Sequence, residues 1–483
     1  MLLPDSSGRP ESFQCFRPSA GSEWAIILAS YYLPPSSIGK FWVLKTRHRM
    51  SSPRERLARG VFWNLIGTFF VQASILGVNI LVARLIGRKE FGAYVLIQST
   101  VVLLSQFAGI AMGGTATKFV AEYRTSDPVK AGRILGLCST ISFGMGSLVA
   151  VTLLIGAPWL TANVIKAPDL AGAMRLGAGA LLFSTMNSYQ LGALTGLEGF
   201  QAMAHARLLT SCLYLLVCGL CAWGWGFTGA VSGLLVSMVI QWLVLGHFLR
   251  RECARMGLRI SRRRIWQERK IIGTFAVPAA LNGLMTTPTI WLAQAFLARQ
   301  HDGLVQMGIY ASAQNLVAIV RLCPSVVDTV SIAVLNNYKG QQKGAEYISA
   351  FRVNLYSVLI AVVVFGPIML LLAPWLLTFY GSGFAGAVSV LKILLLALVF
   401  EVATTAAYQV IRSHKRMWKS FFFIGIPQNA LLLITSAVLS PRLGGNGLAW
   451  GYVVSWGVSL VMTVLLVYRT DLGFKGKAAE QLP

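Results

Sequence analysis

The sequence predicts an all-α integral membrane protein, with twelve transmembrane helices in two parallel six-helix repeats around a central cavity. Three observations predict it: an apolar composition, twelve long apolar runs and an internal repeat. Of the 483 residues, 55% are hydrophobic and 12% are charged, about half the roughly 25% of charged residues in soluble domains. Because such a chain cannot cover its surface with polar groups in water, most classes of soluble enzyme are excluded.

The apolar runs are long enough to span a bilayer as helices, which needs about 20 apolar residues each. A transmembrane β-barrel would instead need short segments of alternating polarity, and these runs are unbroken. The predicted spans are residues 60–84, 92–114, 134–157, 176–195, 204–223, 229–249, 271–298, 306–332, 352–376, 388–410, 417–439 and 447–468.

The distribution of basic residues predicts the orientation of the chain. The sequence has 42 Lys and Arg against 17 Asp and Glu. The basic residues concentrate in the connections that lie in the cytoplasm if the first span starts there, so we expect both termini to be cytoplasmic. Nine of them fall between Arg250 and Lys270. This segment is predicted to lie on anionic lipid headgroups. Because it has no interleaved aromatic residue apart from Trp266 and joins two membrane spans, no nucleic-acid partner is expected.

These features divide the chain into five parts. We expect an N-terminal cytoplasmic tail over residues 1–57, a first six-helix lobe over 58–249, a basic linker over 250–270, a second lobe over 271–470 and a C-terminal tail over 471–483. Residues 1–49 are expected to be disordered or a start-site artefact, because Met50 begins a segment that looks like a natural start.

Short motifs recur between the two lobes at a nearly constant offset in sequence. The segment Phe91-Gly92-Ala93-Tyr94 matches Met307-Gly308-Ile309-Tyr310, and Gln98 matches Gln314. The matching positions further along are Arg175 with Lys392, Gly229 with Gly447, Gly233 with Gly451, and Ser237 with Ser455. Since each lobe has an even number of spans, both enter the membrane in the same direction. Transporters built from parallel repeats bind substrate between the repeats.

Ionisable residues inside the spans are candidate site residues, because each costs at least about 2.5–3.5 kcal/mol at a helix centre. Arg321 is predicted to bind substrate, with an interhelical ion pair as the alternative. Arg175 and Lys392 lie near the outer ends of their spans, where they either face the cleft or extend to lipid headgroups. Asp328 and Glu401 are candidates for coupling to a proton or cation, or are hydrogen-bonded structural acids.

Uncharged polar residues cluster in the first two spans of each lobe, which predicts that these helices line a polar cleft. The candidate cavity residues of this kind are Asn64, Gln72, Asn79, Gln98, Asn282, Gln314 and Asn315. Prolines concentrate in the spans of the second lobe, and Pro288 and Pro324 are the candidate hinges because an internal proline deletes a helix hydrogen bond. The scattered His and Cys residues predict no metal site, and no nucleotide-binding or catalytic motif is present, so no cofactor is expected.

Several stretches resemble the Wzx-type oligosaccharide flippases of the polysaccharide biosynthesis family, within the multidrug/oligosaccharidyl-lipid/polysaccharide exporter superfamily. In the first lobe they are Arg59-Gly60-x-x-Trp63-Asn64, the segment Leu81–Tyr94, and Phe119-Val120-Ala121-Glu122-Tyr123-Arg124. In the second lobe they are Phe379-Tyr380-Gly381 and the segment Ala387–Leu394. The resemblance extends over roughly residues 55–470.

The resemblance implies a transporter, not an enzyme, that moves a polyprenyl-diphosphate-linked oligosaccharide across the bacterial inner membrane for O-antigen or exopolysaccharide synthesis. Arg321 is then the first choice for the diphosphate, with Arg175 and Lys392 guiding the headgroup outward. Glycan polymerases and glycosyltransferases are the expected partners. The alternatives are a cation-coupled multidrug antiporter or a lipid II flippase of the same superfamily and, from another class, a membrane glycan polymerase or ligase. The predicted spans of the first lobe contain no Asp or Glu, which disfavours the antiporter.

Overall fold

The computed structural model describes residues 53–109, 112–261, 264–269, 271–272, 276, 285–340, 344–413 and 420–469. All the secondary structure within these residues is helical. Residues Gly60–Pro483 form one compact unit, whose fold is the subject of this section. In the other unit, Met1–Arg59, the described residues 53–59 are helical.

Eleven α-helices account for most of the described residues. They are α1 (Pro53–Gly109), α2 (Met112–Tyr123), α3 (Pro128–Trp159), α4 (Ala171–Gly196), α5 (Phe200–Arg255), α6 (Thr286–Ala298), α7 (Gly303–Gly340), α8 (Gly344–Tyr380), α9 (Ala387–Ser413), α10 (Ile426–Leu443) and α11 (Gly445–Arg469). Short π-helices, Leu160–Ile165 and Phe421–Gly425, follow α3 and precede α10.

Eight of the described helices are long and apolar enough to cross a membrane, so the chain is a multi-pass membrane protein. Two of the eight contain a sharp break. In α1 the break lies at Gly87 (φ 80°, ψ 171°), between predicted spans one and two. In α5, a helix of 56 residues, it lies at Trp225 and Gly226, between predicted spans five and six. At about 1.5 Å per residue, a straight helix of that length would extend far beyond a bilayer about 30 Å thick, and the break divides it into two pieces of span length.

One turn and one close contact of the first half have counterparts at the positions that the predicted repeat pairs in the second half. Gly226 has φ 57° and ψ −132°, and Gly444, between α10 and α11, has φ 56° and ψ −131°. A Cβ atom at Gly233 would lie 2.9 Å from Cα of Cys218. One at Gly451 would lie 2.9 Å from Oγ of Ser436. Because both φ values are positive, glycine suits both turns better than any residue with a side chain.

The two halves meet closely where the second part of α1 crosses the start of α7. A Cβ atom built at Gly92 would lie 1.8 Å from the carbonyl oxygen of Leu304. One at Gly308 would lie 2.2 Å from the carbonyl oxygen of Arg88. Only glycine therefore permits the backbones to approach this closely, as in other membrane helix crossings.

Buried aromatic rings pack beside this crossing. The ring centroid of Phe91 lies 6.1 Å from that of Tyr380 and 6.0 Å from that of Phe384, both in edge-on geometry. All three side chains are almost completely buried. This cluster joins the first half of the chain to the end of α8 and supplies apolar packing at the junction of the halves.

The basic linker contacts α3 directly. The backbone N–H of Ser261 donates to the carbonyl oxygen of Gly132 at 3.1 Å. A Cβ atom at Gly136 would lie 1.9 Å from the carbonyl oxygen of Ser261, so glycine is needed there. Arg133 and Glu268 form an ion pair at 3.0 Å between Nη2 and Oε1. Arg250, Arg251, Arg259, Arg264 and Arg269 are exposed. Arg255 is exposed too, and its Nη1 pairs with Oε1 of Glu252 at 2.7 Å.

Candidate functional site

A cavity of about 630 Å³ lies among helices from both halves of the chain. The first half contributes α1 on both sides of its break, α4 and α5, and the second half contributes α6 and the first turns of α7. The polar residues that line it are Ser74, Asn79, Gln98, Ser99, Ser184, Thr210, Ser211, Tyr214, Ser237, Gln241, Thr287, Gln294 and Asn315. The apolar ones are Val71, Ile75, Val95, Val101, Val102, Leu234, Met238, Ile290 and Trp291. None of these lining residues carries a charge.

Two hydrogen bonds connect the halves across this cavity. Nδ2 of Asn79 in α1 donates to Oδ1 of Asn315 in α7 at 3.1 Å. Nε1 of Trp291 in α6 donates to Oγ1 of Thr100 at 2.8 Å, which holds the indole ring against the cavity wall. Each bond joins a residue of the first half to a residue of the second, so the site depends on the packing of the two halves.

Other polar groups that line the cavity either form hydrogen bonds with neighbours in the first half or have no partner among the described residues. Nε2 of Gln98 donates to the hydroxyl of Tyr214 at 3.4 Å. Asn187 behind the wall donates to Oε1 of Gln241 at 3.0 Å. By contrast, Oδ1 of Asn79 and Oε1 of Gln294 are buried and accept no hydrogen bond from the described residues. Buried acceptors of this kind are costly unless something satisfies them, which makes these two oxygens candidates for contact with a polar ligand.

The structure brings three of the predicted cavity residues together: Asn79, Gln98 and Asn315 all line the cavity. Gln72 and Gln314 are half-buried, but they are not among its lining residues. Asn282 lies outside the described residues. The helical period explains why some predicted residues line the cavity and others do not. A residue one or two positions from a lining residue points to another side of the helix.

The predicted charged residues lie outside the cavity lining. Nη2 of Arg321 in α7 contacts Oε2 of Glu401 in α9 at 2.8 Å, which is the ion-pair alternative raised from the sequence. Nε2 of Gln409 in α9 donates to Oδ1 of Asp328 in α7 at 2.6 Å. Asp328 and Glu401 therefore each form a contact that connects α7 with α9 in the second half.

Arg175 and Lys392, the two basic residues paired by the repeat, are both exposed. Neither is among the lining residues of the cavity. Their positions at the beginnings of α4 and α9 agree with long basic side chains that extend from helix ends toward headgroups.

The two candidate hinge prolines have different surroundings. Pro288 is the third residue of α6, which begins at Thr286. The first N–H groups of a helix have no partner within it, so a proline there removes no hydrogen bond. Pro324 lies inside α7 and is buried. Of the two, Pro324 is therefore the one that interrupts a continuous helix.

Arg207 is a functional candidate that the sequence reasoning missed. It lies in α5, one helical turn before Ser211 of the cavity wall, and its side chain is half-buried. Nη1 donates to Oδ1 of Asn64 at 2.9 Å and to Oγ1 of Thr68 at 3.3 Å. Gly67 leaves room for it, since a Cβ atom there would lie 3.0 Å from Cδ of Arg207.

Arg207 is thus a cation held by neutral groups. In the described part of the chain, no carboxylate forms an ion pair with it. Because Arg207 lies near the start of predicted span five, it was assigned to the preceding cytoplasmic connection. Two features of the sequence could have identified it as a candidate: it falls inside that span, and span one carries polar Asn64 and Thr68 at helical spacing.

Within the described residues, no group of three or more His, Cys, Asp and Glu side chains is arranged to hold a metal ion.

Comparison with known proteins gives one family match and several structural matches. Its sequence matches the polysaccharide biosynthesis protein family over residues 57–338. No curated protein sequence matches it significantly.

Solved structures share its fold at low sequence identity. An inward-facing multidrug resistance MATE family transporter of the MOP superfamily has a TM-score of 0.66 and 16% identity, covering 83% of this chain and 95% of its own. The lipid II flippase MurJ, in an inward closed conformation, has a TM-score of 0.66 and 15% identity, covering 84% and 88%. A MOP superfamily transporter from Pyrococcus furiosus has a TM-score of 0.62 and 19% identity, covering 88% and 97%. Since the family match extends over more than half of the sequence, the chain belongs to the polysaccharide biosynthesis protein family.

Proposed function

We propose that this protein is a flippase that moves a polyprenyl-diphosphate-linked oligosaccharide from the cytoplasmic to the outer leaflet of the bacterial inner membrane, for the synthesis of a surface polysaccharide. A headgroup of sugars and phosphates cannot cross hydrocarbon unaided, because its polar groups would lose their hydrogen bonds to water. The polyprenyl tail has no such difficulty and stays in the bilayer. The protein therefore has to supply a polar passage for the headgroup alone.

The observation that carries the proposal is the uncharged polar cavity between the two halves. Sugar hydroxyls both donate and accept hydrogen bonds, and the cavity offers them amides and hydroxyls. Oδ1 of Asn79 and Oε1 of Gln294 accept nothing from the described residues, so a sugar hydroxyl would find acceptors in them. Trp291 adds a flat apolar face against which a sugar ring can pack.

We assign the diphosphate to Arg207, in place of Arg321. Arg321 is already neutralised by Glu401, whereas Arg207 is bonded to the neutral side chains of Asn64 and Thr68. A guanidinium forms paired, charge-assisted hydrogen bonds with phosphate oxygens. Since Arg207 lies one turn from Ser211, a headgroup with its sugars in the cavity could place its phosphates beside this arginine.

The layout of parallel repeats, with twelve spans and both termini in the cytoplasm, is part of this proposal. The matching turns at Gly226 and Gly444 support it, as does the contact between Gly92 and Gly308. In such a layout, the halves rock against each other and open the cavity alternately to the two sides of the membrane. Glycosyltransferases would supply the lipid-linked glycan, and a polymerase would consume it on the outer side.

The absence of charge among the described lining residues also separates this function from its alternatives. A cation-coupled antiporter for cationic drugs would need a carboxylate in its cavity, and Glu401 and Asp328 are bonded to α7 and α9 partners elsewhere. The similarity to MurJ fits a lipid-linked substrate in general.

The test is reconstitution of the full chain in liposomes that carry a fluorescently labelled polyprenyl-diphosphate-linked sugar. The fraction of label accessible to a membrane-impermeant quencher reports the flipping rate. We expect flipping by the wild type and about tenfold slower flipping by Asn79→Leu and Gln294→Leu, which remove the two buried acceptors at similar volume. Lys392→Ala, a change at an exposed residue outside the cavity, is the matched control. A wild type that flips neither mono- nor oligosaccharide forms of this lipid contradicts the proposal.

A further inference from the structure

A second cavity lies in the second half of the chain. Its volume is about 250 Å³. It is bordered by α6, α9, α10 and α11 and by the π-helix Phe421–Gly425. The lining residues are Met285, Thr286, Thr404, Thr405, Tyr408, Ser420, Phe421, Ile424, Gly425, Gln428, Asn429, Trp456 and Ser459. The function proposed above does not use it, and π-helical turns such as the one at its edge are frequent at functional sites.

The wall of the second cavity corresponds to the wall of the first at the same repeat offset that relates Gly226 to Gly444. Thr210, Ser211, Met238 and Gln241 line the first cavity, and Gln428, Asn429, Trp456 and Ser459, in the same order, line the second. Both sets occupy the same faces of corresponding helices, α5 in the first half and α10 with α11 in the second. The nearly equal dihedral angles at the two glycines keep those helices in matching register.

The chemistry of the second wall is that of a site for a neutral sugar. Hydroxyls and amides supply hydrogen bonds, and Oγ of Ser459 orients Gln428 by donating to its Oε1 at 3.0 Å. Trp456 offers a flat apolar face and an N–H donor. None of the described lining residues is charged. Pockets for drug-sized ligands begin at about 300 Å³, so this smaller cavity is suited to a single sugar ring.

The two cavities lie on either side of one helical turn. Met285 and Thr286 line the second cavity, while Thr287 and Ile290 line the first. The first turn of α6 is therefore a thin partition, and a chain of sugars that enters the first cavity is held close to the second.

We propose that the second cavity is a binding subsite for one neutral sugar ring of the transported glycan, the repeat-related counterpart of the central cavity wall. The identity of the ligand as part of a transported glycan rests on the proposed flippase function. The site itself rests on the residues that line it. Its occupancy by a distal sugar would hold the glycan against the second half while the halves move.

Two tryptophans provide separate local probes, because Trp291 lines the first cavity and Trp456 lines the second. The experiment uses the full chain in lipid nanodiscs, labelled with 5-fluorotryptophan and observed by fluorine NMR. The variants Trp291→Phe and Trp456→Phe assign the two resonances by their disappearance. The probes are the methyl glycosides of glucose, galactose, mannose, rhamnose and N-acetylglucosamine. Mannitol, which has hydroxyls but no ring, is the matched control compound.

We expect at least one methyl glycoside to shift the Trp456 resonance in a saturable way, and mannitol to leave it unchanged. Gln428→Ala should weaken the apparent affinity measured at Trp456 by about tenfold and leave the Trp291 response intact. Gln241→Ala should do the reverse. Trp450→Phe, at an exposed position on the same helix, should change neither response.

The inference is overturned if no glycoside of the panel shifts Trp456, if mannitol shifts it equally, or if Gln428→Ala leaves the titration unchanged. A retained near-native fluorine spectrum in each variant shows that it is folded. Failure of the wild type in the liposome assay, with Trp456 still responding to a glycoside, would remove the flippase function and leave the sugar site standing. Flipping without any response at Trp456 would remove only the second site.

Discussion

Gly92 and Gly308 lie against each other, with the Cβ position of Gly308 3.3 Å from the backbone nitrogen of Gly92. They are the two glycines that the predicted internal repeat pairs with each other. Equivalent residues of two repeats can touch only near the axis that relates them. The contact is therefore the one expected if the proposed pseudo-two-fold axis passes between α1 and α7 at this crossing.

The crossing predicts an unusually damaging glycine substitution. Gly92→Ala would place a methyl carbon 1.8 Å from the carbonyl oxygen of Leu304, so the helices must separate. Overpacking typically costs about 1–3 kcal/mol, and we expect a loss at the upper end of that range, seen as a lower midpoint of thermal unfolding in detergent. Gly156→Ala in α3, where nothing lies within 4 Å of the added carbon, is the control. It should leave the midpoint unchanged or raise it, and an equal effect of both variants would refute the close crossing.

Arg207 predicts a difference between two substitutions. Arg207→Ala removes the charge and should slow flipping of the diphosphate-linked lipid by about 100-fold, equivalent to roughly 2.7 kcal/mol. Arg207→Lys keeps the charge and loses the planar pair of donors, so we expect an intermediate rate. The measurement is the liposome assay, with Arg175→Ala as a control at an exposed arginine. Equal rates for Arg207→Ala and wild type would exclude a phosphate contact at this residue.

The Arg321–Glu401 ion pair predicts strong coupling between two mutations. Arg321→Met or Glu401→Gln alone leaves one partly buried charged side chain without its counterion, and should lower thermal stability. The double variant should recover part of the loss, with a coupling energy of roughly 0.5–3 kcal/mol in a double-mutant cycle. Additive losses would mean that the pair contributes nothing. If the double variant still flips the lipid, Arg321 has a structural role. If the double variant no longer flips it, Arg321 takes part in transport.

The two prolines predict different outcomes for the same change. Pro324→Ala supplies an N–H inside α7 that can bond to the carbonyl oxygen of Val320, so we expect higher thermal stability and, if the bend moves during transport, slower flipping. Pro288→Ala adds an N–H in the first turn of α6, where the helix has no use for it. It should change neither quantity. If Pro288→Ala slows flipping and Pro324→Ala does not, the hinge lies at Pro288 in α6.

Helical structure was readily predicted from the sequence, since each span depends on about 20 consecutive apolar residues and on hydrogen bonds within one segment. The breaks at Gly87 and Gly226 could also be anticipated from the gaps between spans. The sequence could not show that Gln98 faces the cavity while Gln314, its equivalent in the repeat, does not line it. That difference arises from how each helix is rotated against its neighbours, which is a property of packing.

The pairing of charges was the least predictable part of the site. Arg321 and Glu401 were each recognised as costly inside a span, yet nothing in their positions, far apart in the sequence, showed that they neutralise each other. Arg207 was missed for a related reason. Its charge is available to a ligand because its hydrogen-bond partners are neutral, and the sequence does not show which residues those partners are.

The sequence by itself determined that this protein is a helical, multi-pass membrane protein, because composition and run length act locally and are visible in one dimension. The tertiary structure alone decided which polar groups are satisfied, which remain free to meet a ligand, and where the two halves touch. Those properties depend on distances of a few ångströms between residues that are far apart in the chain.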